Sequence, residues 1–210
     1  MRNAARQDAD AVRRVGAFRR VRSRLVAAAG LSGSLMLSAS TFADQATVPL
    51  GLQVELFAKV ADYDKTLPGR SEGVVRVVIV SRRSVPESVA AAARVLNTLS
   101  SLATISGLPH EDVSVEFTDA ASLAALCKSR SVSILFMTPG LIDVDDSVSK
   151  ALVGVPVLSV SATSEGVSKG IVLGFDLVGG KPKLLVSLSA SRAQGVRLSS
   201  DVLKIATVIE

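Results

Sequence analysis

The chain has 210 residues, 48% of them hydrophobic and 3% aromatic, with no Trp and a formal net charge of +5. Such a composition can bury a core, but it is too poor in rings for a stacking surface on single-stranded nucleic acid. The charge also excludes a phosphate-neutralising body. Residues 1–43 hold eight arginines against Asp8 and Asp10, while residues 44–210 hold 16 basic and 17 acidic groups, and nucleic-acid affinity needs clustered Lys and Arg.

Arginines through Arg24 precede an apolar run, Leu25–Leu37, and then small residues ending in Thr41-Phe42-Ala43. That order predicts a signal peptide over residues 1–43, cut after Ala43, with Asp44 opening an exported domain over residues 44–210. The apolar run is too short and too rich in Gly and Ser to span a bilayer, which takes about 20 apolar residues. No Cys lies near the cut to carry a lipid.

The domain reads as alternating helices and strands. A first helix is predicted over residues 50–66, with Leu50, Val54, Phe57 and Ala61 inward and Gln53 and Asp62 elsewhere, ended by Pro68-Gly69. Val74–Val80 is a continuous β-branched run, the mark of a strand covered on both faces. Ser84-Val85-Pro86-Glu87 reads as a capping box opening a helix whose buried stripe is Val89, Ala92, Leu96, Leu99 and Ala103. A second strand, Val113–Phe117, leads to a helix capped by Thr118 or Asp119 that turns Ala120, Leu123, Ala124 and Cys127 inward. Val132–Met137 is a third strand, a helix spans about 144–153 with Asp145 and Asp146 in its first turn, and Val155–Val160 is a fourth strand. Ile171–Leu177 and Lys183–Leu188 alternate around Gly179-Gly180, a hairpin signal, and a final helix is expected over about 199–209. The reading is a single α/β domain, a largely parallel sheet with flanking helices and a C-terminal antiparallel hairpin.

Signals for chemistry are few. His110, the only histidine, sits in the polar stretch Gly107–Asp112, expected to be a loop, and nothing brings it to Cys127 as a nucleophilic pair would require. One Cys and one His cannot make a zinc site. Asp143-Val144-Asp145-Asp146 resembles a calcium-loop fragment but has Val148 and Gly154 where the loop needs Gly and Glu. No cofactor motif follows the first strand, and no catalytic constellation or metal site is expected. Arg82 and Arg83 follow that strand and could meet an anion at the next helix, or could be solvated loop charges. Thr138, Gly140 and Thr163 follow other parallel strands, where open α/β sheets form a ligand crevice.

A resemblance extends the reading. Residues 174–209 run from the hairpin through a small-residue helix to Gly195, Leu198, Ser199, Ser200, Leu203 and Ala206, and this ending resembles that of YfiR/HmsC-like proteins. Lys59…Tyr63-Asp64…Leu67 is similar to the first helix of a subgroup, and Ile134–Leu141 to its third-strand exit. Ser187 stands where the family commonly has Asn, and a single Cys cannot form the disulfides of characterised relatives. The resemblance implies a non-enzymatic periplasmic protein that modulates an inner-membrane signalling enzyme, a diguanylate cyclase or sensor kinase, by contact with its periplasmic domain. A homodimer and a small-molecule ligand stay open. A small-solute receptor using the strand-end crevice is the alternative, and an exported enzyme the third reading. Leu56 and Val60 on the first helix and Leu203 and Val208 at the end are the candidate partner surface, unless they complete the core. The exported protein is expected to give an intact mass that begins at Asp44, and a full-length cytoplasmic product would refute export.

Overall fold

The computed structural model describes residues 47–210. The expected signal peptide over residues 1–43 and its cut after Ala43 lie outside the described residues.

In chain order the elements are α1 (Leu50–Ala61), α2 (Leu67–Ser71), β1 (Val75–Ser81), α3 (Pro86–Leu99), β2 (His110–Glu116), α4 (Ala120–Ser129), β3 (Ile134–Met137), α5 (Asp145–Ala151), β4 (Leu158–Ser161), α6 (Glu165–Ser168), β5 (Leu173–Val178), β6 (Lys181–Ser187), α7 (Leu188–Ala193), α8 (Ser200–Ile205) and β7 (Thr207–Ile209). Successive side chains of a strand point to opposite faces. Along β1, Val75, Val77 and Ile79 therefore enter one apolar cluster, while Val78 and Val80 enter the other. In β3, Ile134 and Phe136 divide from Leu135 and Met137 in the same way. Such strands need cover on both sides. Val54, Phe57 and Val60 of α1 and Val95 and Leu99 of α3 supply it on one face, with the Phe57 and Phe136 rings 5.8 Å apart. Leu123 and Cys127 of α4 and Val148 of α5 supply it on the other.

The seven strands make one sheet in the order β2-β1-β3-β4-β5-β6-β7. β1 to β5 run parallel, and β6 turns back beside β5 through Gly179 and Gly180, both at positive φ (58° and 73°), the backbone a tight two-residue hairpin demands. The expected fold class is the observed one. Chain order reverses between β1 and β3, which lead outward to opposite edges.

Several local expectations are corrected. The first helix stops at Ala61, and Pro68 sits in the opening turn of α2, where its missing N–H costs nothing. Ser84 caps nothing: Pro86 opens α3 and Val85 is its N-cap. The buried stripe of α3 is Ser88, Ala91, Ala92, Val95 and Leu99, leaving Val89 exposed. Asp119 is the cap of α4, accepting from Ser122 N at 2.8 Å. The final helix breaks after Ile205, because the β-branched residues Thr207, Val208 and Ile209 pair in parallel with Leu185, Val186 and Ser187. Ser187 itself caps α7 by accepting from Ala190 N, a task Asn performs equally well, so the departure from the family's usual residue preserves the helix start.

The beginning and end of the domain are tied by a buried ion pair. The Asp64 side chain is fully buried and lies 2.5 Å from Arg70 Nη1, itself 6% exposed. Asp64 Oδ1 also accepts from Thr66 N, Thr66 Oγ1 and Arg197 N, and Arg70 Nη2 donates to Ser133 O at the entry to β3. Burial holds the Arg70 guanidinium below its ordinary pKa, against the opposing pull of Asp64. Asp64→Ala would strand that cation, and a loss of about 3–5 kcal/mol is expected. Urea unfolding of the variant checks this, and a loss below about 1 kcal/mol would mean that water replaces the carboxylate.

Candidate functional site

The carboxyl ends of β1, β3 and β4 meet where the sheet order reverses, the place at which open α/β sheets leave a crevice. The groups expected there are largely spent on the protein itself. Arg82 Nη1 lies 3.0 and 3.1 Å from the two carboxylate oxygens of Asp143, which holds the Asp143 carboxyl below its usual range. Arg83 is exposed and pairs with Glu116 at 3.2 Å, away from the crevice. Thr138 is buried: its hydroxyl donates to Val80 O at 2.8 Å and accepts from Ser88 Oγ at 2.6 Å, while Ser88 Oγ accepts from Arg82 N. Gly140 has φ of +86°, and a Cβ there would stand 2.9 Å from Val85 Cγ1, so the position needs glycine twice over. These residues brace the strand ends rather than offer free groups.

Two hollows share Thr47, Val48 and Ala162, and of the expected crevice residues Thr163 alone lines them. One, of about 640 Å³, runs past Leu50, Gln53, Ala90, Arg94 and Pro139. The other, of about 570 Å³, runs past Glu165, Phe175, Asp176 and Leu177. Gln53 was expected off the inner face, yet it is 1% exposed. Its Nε2 donates to Val48 O and Ala162 O, fastening the chain at Val48 to the exit of β4. Its spacing to Phe57, one helical turn on, was the signal that could have found it. A smaller hollow of about 360 Å³ lies at the opposite end of the sheet among Glu72, Arg76, Glu111 and Arg130.

The candidate partner surface divides. Val60 is 2% exposed and belongs to the core, since its face of α1 is pressed on the sheet; it is withdrawn from that surface. Leu56 and Leu203 are half-buried against the same core, and Val208, on β7 rather than on a helix, is exposed. Tyr63 and Ile205 are exposed nearby in the chain, where Ser199 N donates to Tyr63 O.

His110 is not in a loop. It opens β2, with its side chain 7% exposed, Nδ1 2.9 Å from both Asp112 oxygens and Nε2 3.0 Å from Leu102 O. Both nitrogens thus face acceptors, which favours the imidazolium. Burial works against the charge, but the bonds to Leu102 and Asp112 outweigh it and raise the His110 pKa. The His-x-Asp spacing, which puts both side chains on one strand face, was the missed signal. Cys127 is buried, and burial pushes its thiol up to about 12. Among the described residues no group of three or more His, Cys, Asp or Glu is placed to hold a metal ion. No described helix is long and apolar enough to cross a membrane.

Comparison with known proteins gives a consistent picture. The family described as YfiR/HmsC-like matches residues 64–207, more than half of the chain. No curated protein matches. Among solved structures, a conserved domain protein from Vibrio cholerae O1 biovar El Tor is similar at 13% identity and a TM-score of 0.51, covering 77% of this chain and 60% of that one. The ABC domain in complex with L-Trp from Streptococcus pneumoniae is similar at 14% identity and a TM-score of 0.55, with the same two coverages. A ligand-free, open substrate-binding protein with adhesive properties from Clostridium difficile is similar at 11% identity and 0.51, covering 70% and 58%. The chain spans less than two thirds of each of these structures, and the likeness concerns the fold.

The His110 clamp has a pH signature. Its pKa is raised on folding, so its contribution is complete below the unfolded value near 6.5 and is lost as pH rises through the folded one. Unfolding free energy is expected to fall as pH rises above about 6.5, and His110→Gln should remove that fall. An identical pH slope in both proteins would refute the clamp.

Proposed function

The chain belongs to the YfiR/HmsC-like family of periplasmic regulators, and on that premise we propose that it is exported and modulates an inner-membrane diguanylate cyclase or sensor kinase by docking on its periplasmic domain. The family match over residues 64–207 carries this reading. Docking needs an apolar patch with a polar rim. The terminal segment offers the exposed apolar residues Ile205, 62% exposed, and Val208, with the charged pair Lys204 and Asp201 on the same short helix as Ile205. Leu56 and Leu203, half-buried against the core, stay candidates for the same contact.

A small-solute receptor is the second reading. In its favour are the paired hollows around Thr163, each within the roughly 300–1,000 Å³ of ordinary ligand sites, and the folds of binding proteins among the similar structures. The internal engagement of Arg82 and Thr138 leaves that reading fewer free polar groups than it needs.

Capture of the purified protein by the periplasmic domain of an inner-membrane cyclase or kinase is the test. Ile205→Asp and Val208→Asp are expected to weaken capture at least about tenfold, the scale of burying an unpaired charge in an interface, while Val178→Asp at the hairpin tip leaves it intact. Undiminished capture by both terminal variants would reject the patch. Absence of capture, with a small metabolite retained through purification, would transfer the function to the crevice.

A further inference from the structure

Asp145 and Asp146 are neighbours in the first turn of α5 with opposite fates. Asp146 is exposed and pairs with Lys150 at 2.6 Å, whereas Asp145 is 1% exposed and neither of its carboxylate oxygens has a hydrogen-bond partner. A buried ion without partners is costly enough that the group shifts towards its neutral form. Burial is the main cause pushing the Asp145 carboxyl up to about 6; Lys169 opposes it, and Asp143 and Glu165 add to it. Asp143 comes from the loop before α5 and is held by Arg82; Glu165 and Lys169 come from α6 and the residue that follows it. Lys169 Nζ is engaged elsewhere, donating to Ile142 O at 2.5 Å. The contact between α6 and this carboxyl is tight. A Cβ on Gly166 would collide with Ser161 Oγ and stand 2.8 Å from Asp145 Oδ2.

We propose that Asp145 and Lys169 form a proton-operated latch that holds α6 against the sheet. Protonated Asp145 is a neutral group beside the Ser161 hydroxyl, Lys169 stays on Ile142 O, and α6 is closed. On ionisation the unpartnered carboxylate is more stable in water than in its buried place, so α6 opens more often, and the nearby Lys169 charge limits that gain. Glu165 opens α6 and lies with Ser164 along the second hollow of the crevice, so acidity of the surroundings sets the firmness of one crevice wall. The latch stands whether the crevice region receives a protein, a solute or neither.

The folded carboxyl near 6 and an open-state value near 3.8 fix the size and direction of the effect. Opening of α6 rises with pH between those values and levels off above them, which amounts to about tenfold between pH 5 and pH 7. Amide hydrogen exchange across residues 164–170, corrected for intrinsic rates, should show that rise in the native protein and a flat profile in Asp145→Asn. Carboxyl carbon NMR should place the native Asp145 midpoint near 6, and Lys169→Met should move it higher. Flat exchange in the native protein, the same pH profile in Asp145→Asn, or an Asp145 midpoint near 3.8 would each overturn the latch.

Discussion

A carboxylate and a guanidinium held together away from water organise this domain. Asp64 stands in the turn between α1 and α2 and Arg70 in α2 itself, yet their remaining bonds reach Arg197 near the chain's end and Ser133 at the mouth of β3. One short segment therefore fixes two distant stretches. An isolated β-bridge between Asp64 and Leu198 and the bonds Lys65 N to Arg197 O and Ser199 N to Tyr63 O extend the seam. Burying an ion pair adds little net stability by itself, but removing one partner is expensive, so the pair penalises any arrangement that separates these segments. The start of α8, and through it the docking of β7 on β6, follow from where Asp64 is pinned.

The strand ends show the same economy at a different place. Arg82, Ser88 and Thr138 form a chain of donors and acceptors that joins the exit of β1, the first turns of α3 and the exit of β3. The resulting crevice has one braced wall. Its other wall, α6, rests on a carboxyl with no partner and on two close-packed glycines, Gly166 and Gly174. Local stability is rarely uniform, and the contrast between the walls identifies where this fold can give.

The sheet was legible because the apolar runs of β1 and β3 must be buried on both faces, and Gly179-Gly180 can do little else than turn a hairpin. β7 was not legible. Val202, Ala206 and Ile209 recur at helical spacing, and only the open edge of β6 makes an extended end the better arrangement for Thr207–Ile209. The candidate site fared less well for a related reason. A sequence displays donors such as Arg82 and Thr138 but not their partners, and Asp143 and Val80 lie about sixty residues away from them in the chain. Gln53 erred in the opposite sense: placed off the inner face of α1, it is buried because its amide donates to Val48 O and Ala162 O, and Asp145, read only as a first-turn acid, is buried against α6.

Cys127 on the inner face of α4 carries a last implication. With its thiol pushed up to about 12, the reactive anion makes up only about one part in 10⁵ at neutral pH. Disulfide exchange at Cys127 is therefore expected to be slow in the folded chain, and a lone cysteine leaves no internal pairing to scramble. With a single cysteine in the sequence and that one buried, the folded domain offers thiol chemistry no internal disulfide to make and no open thiol to attack.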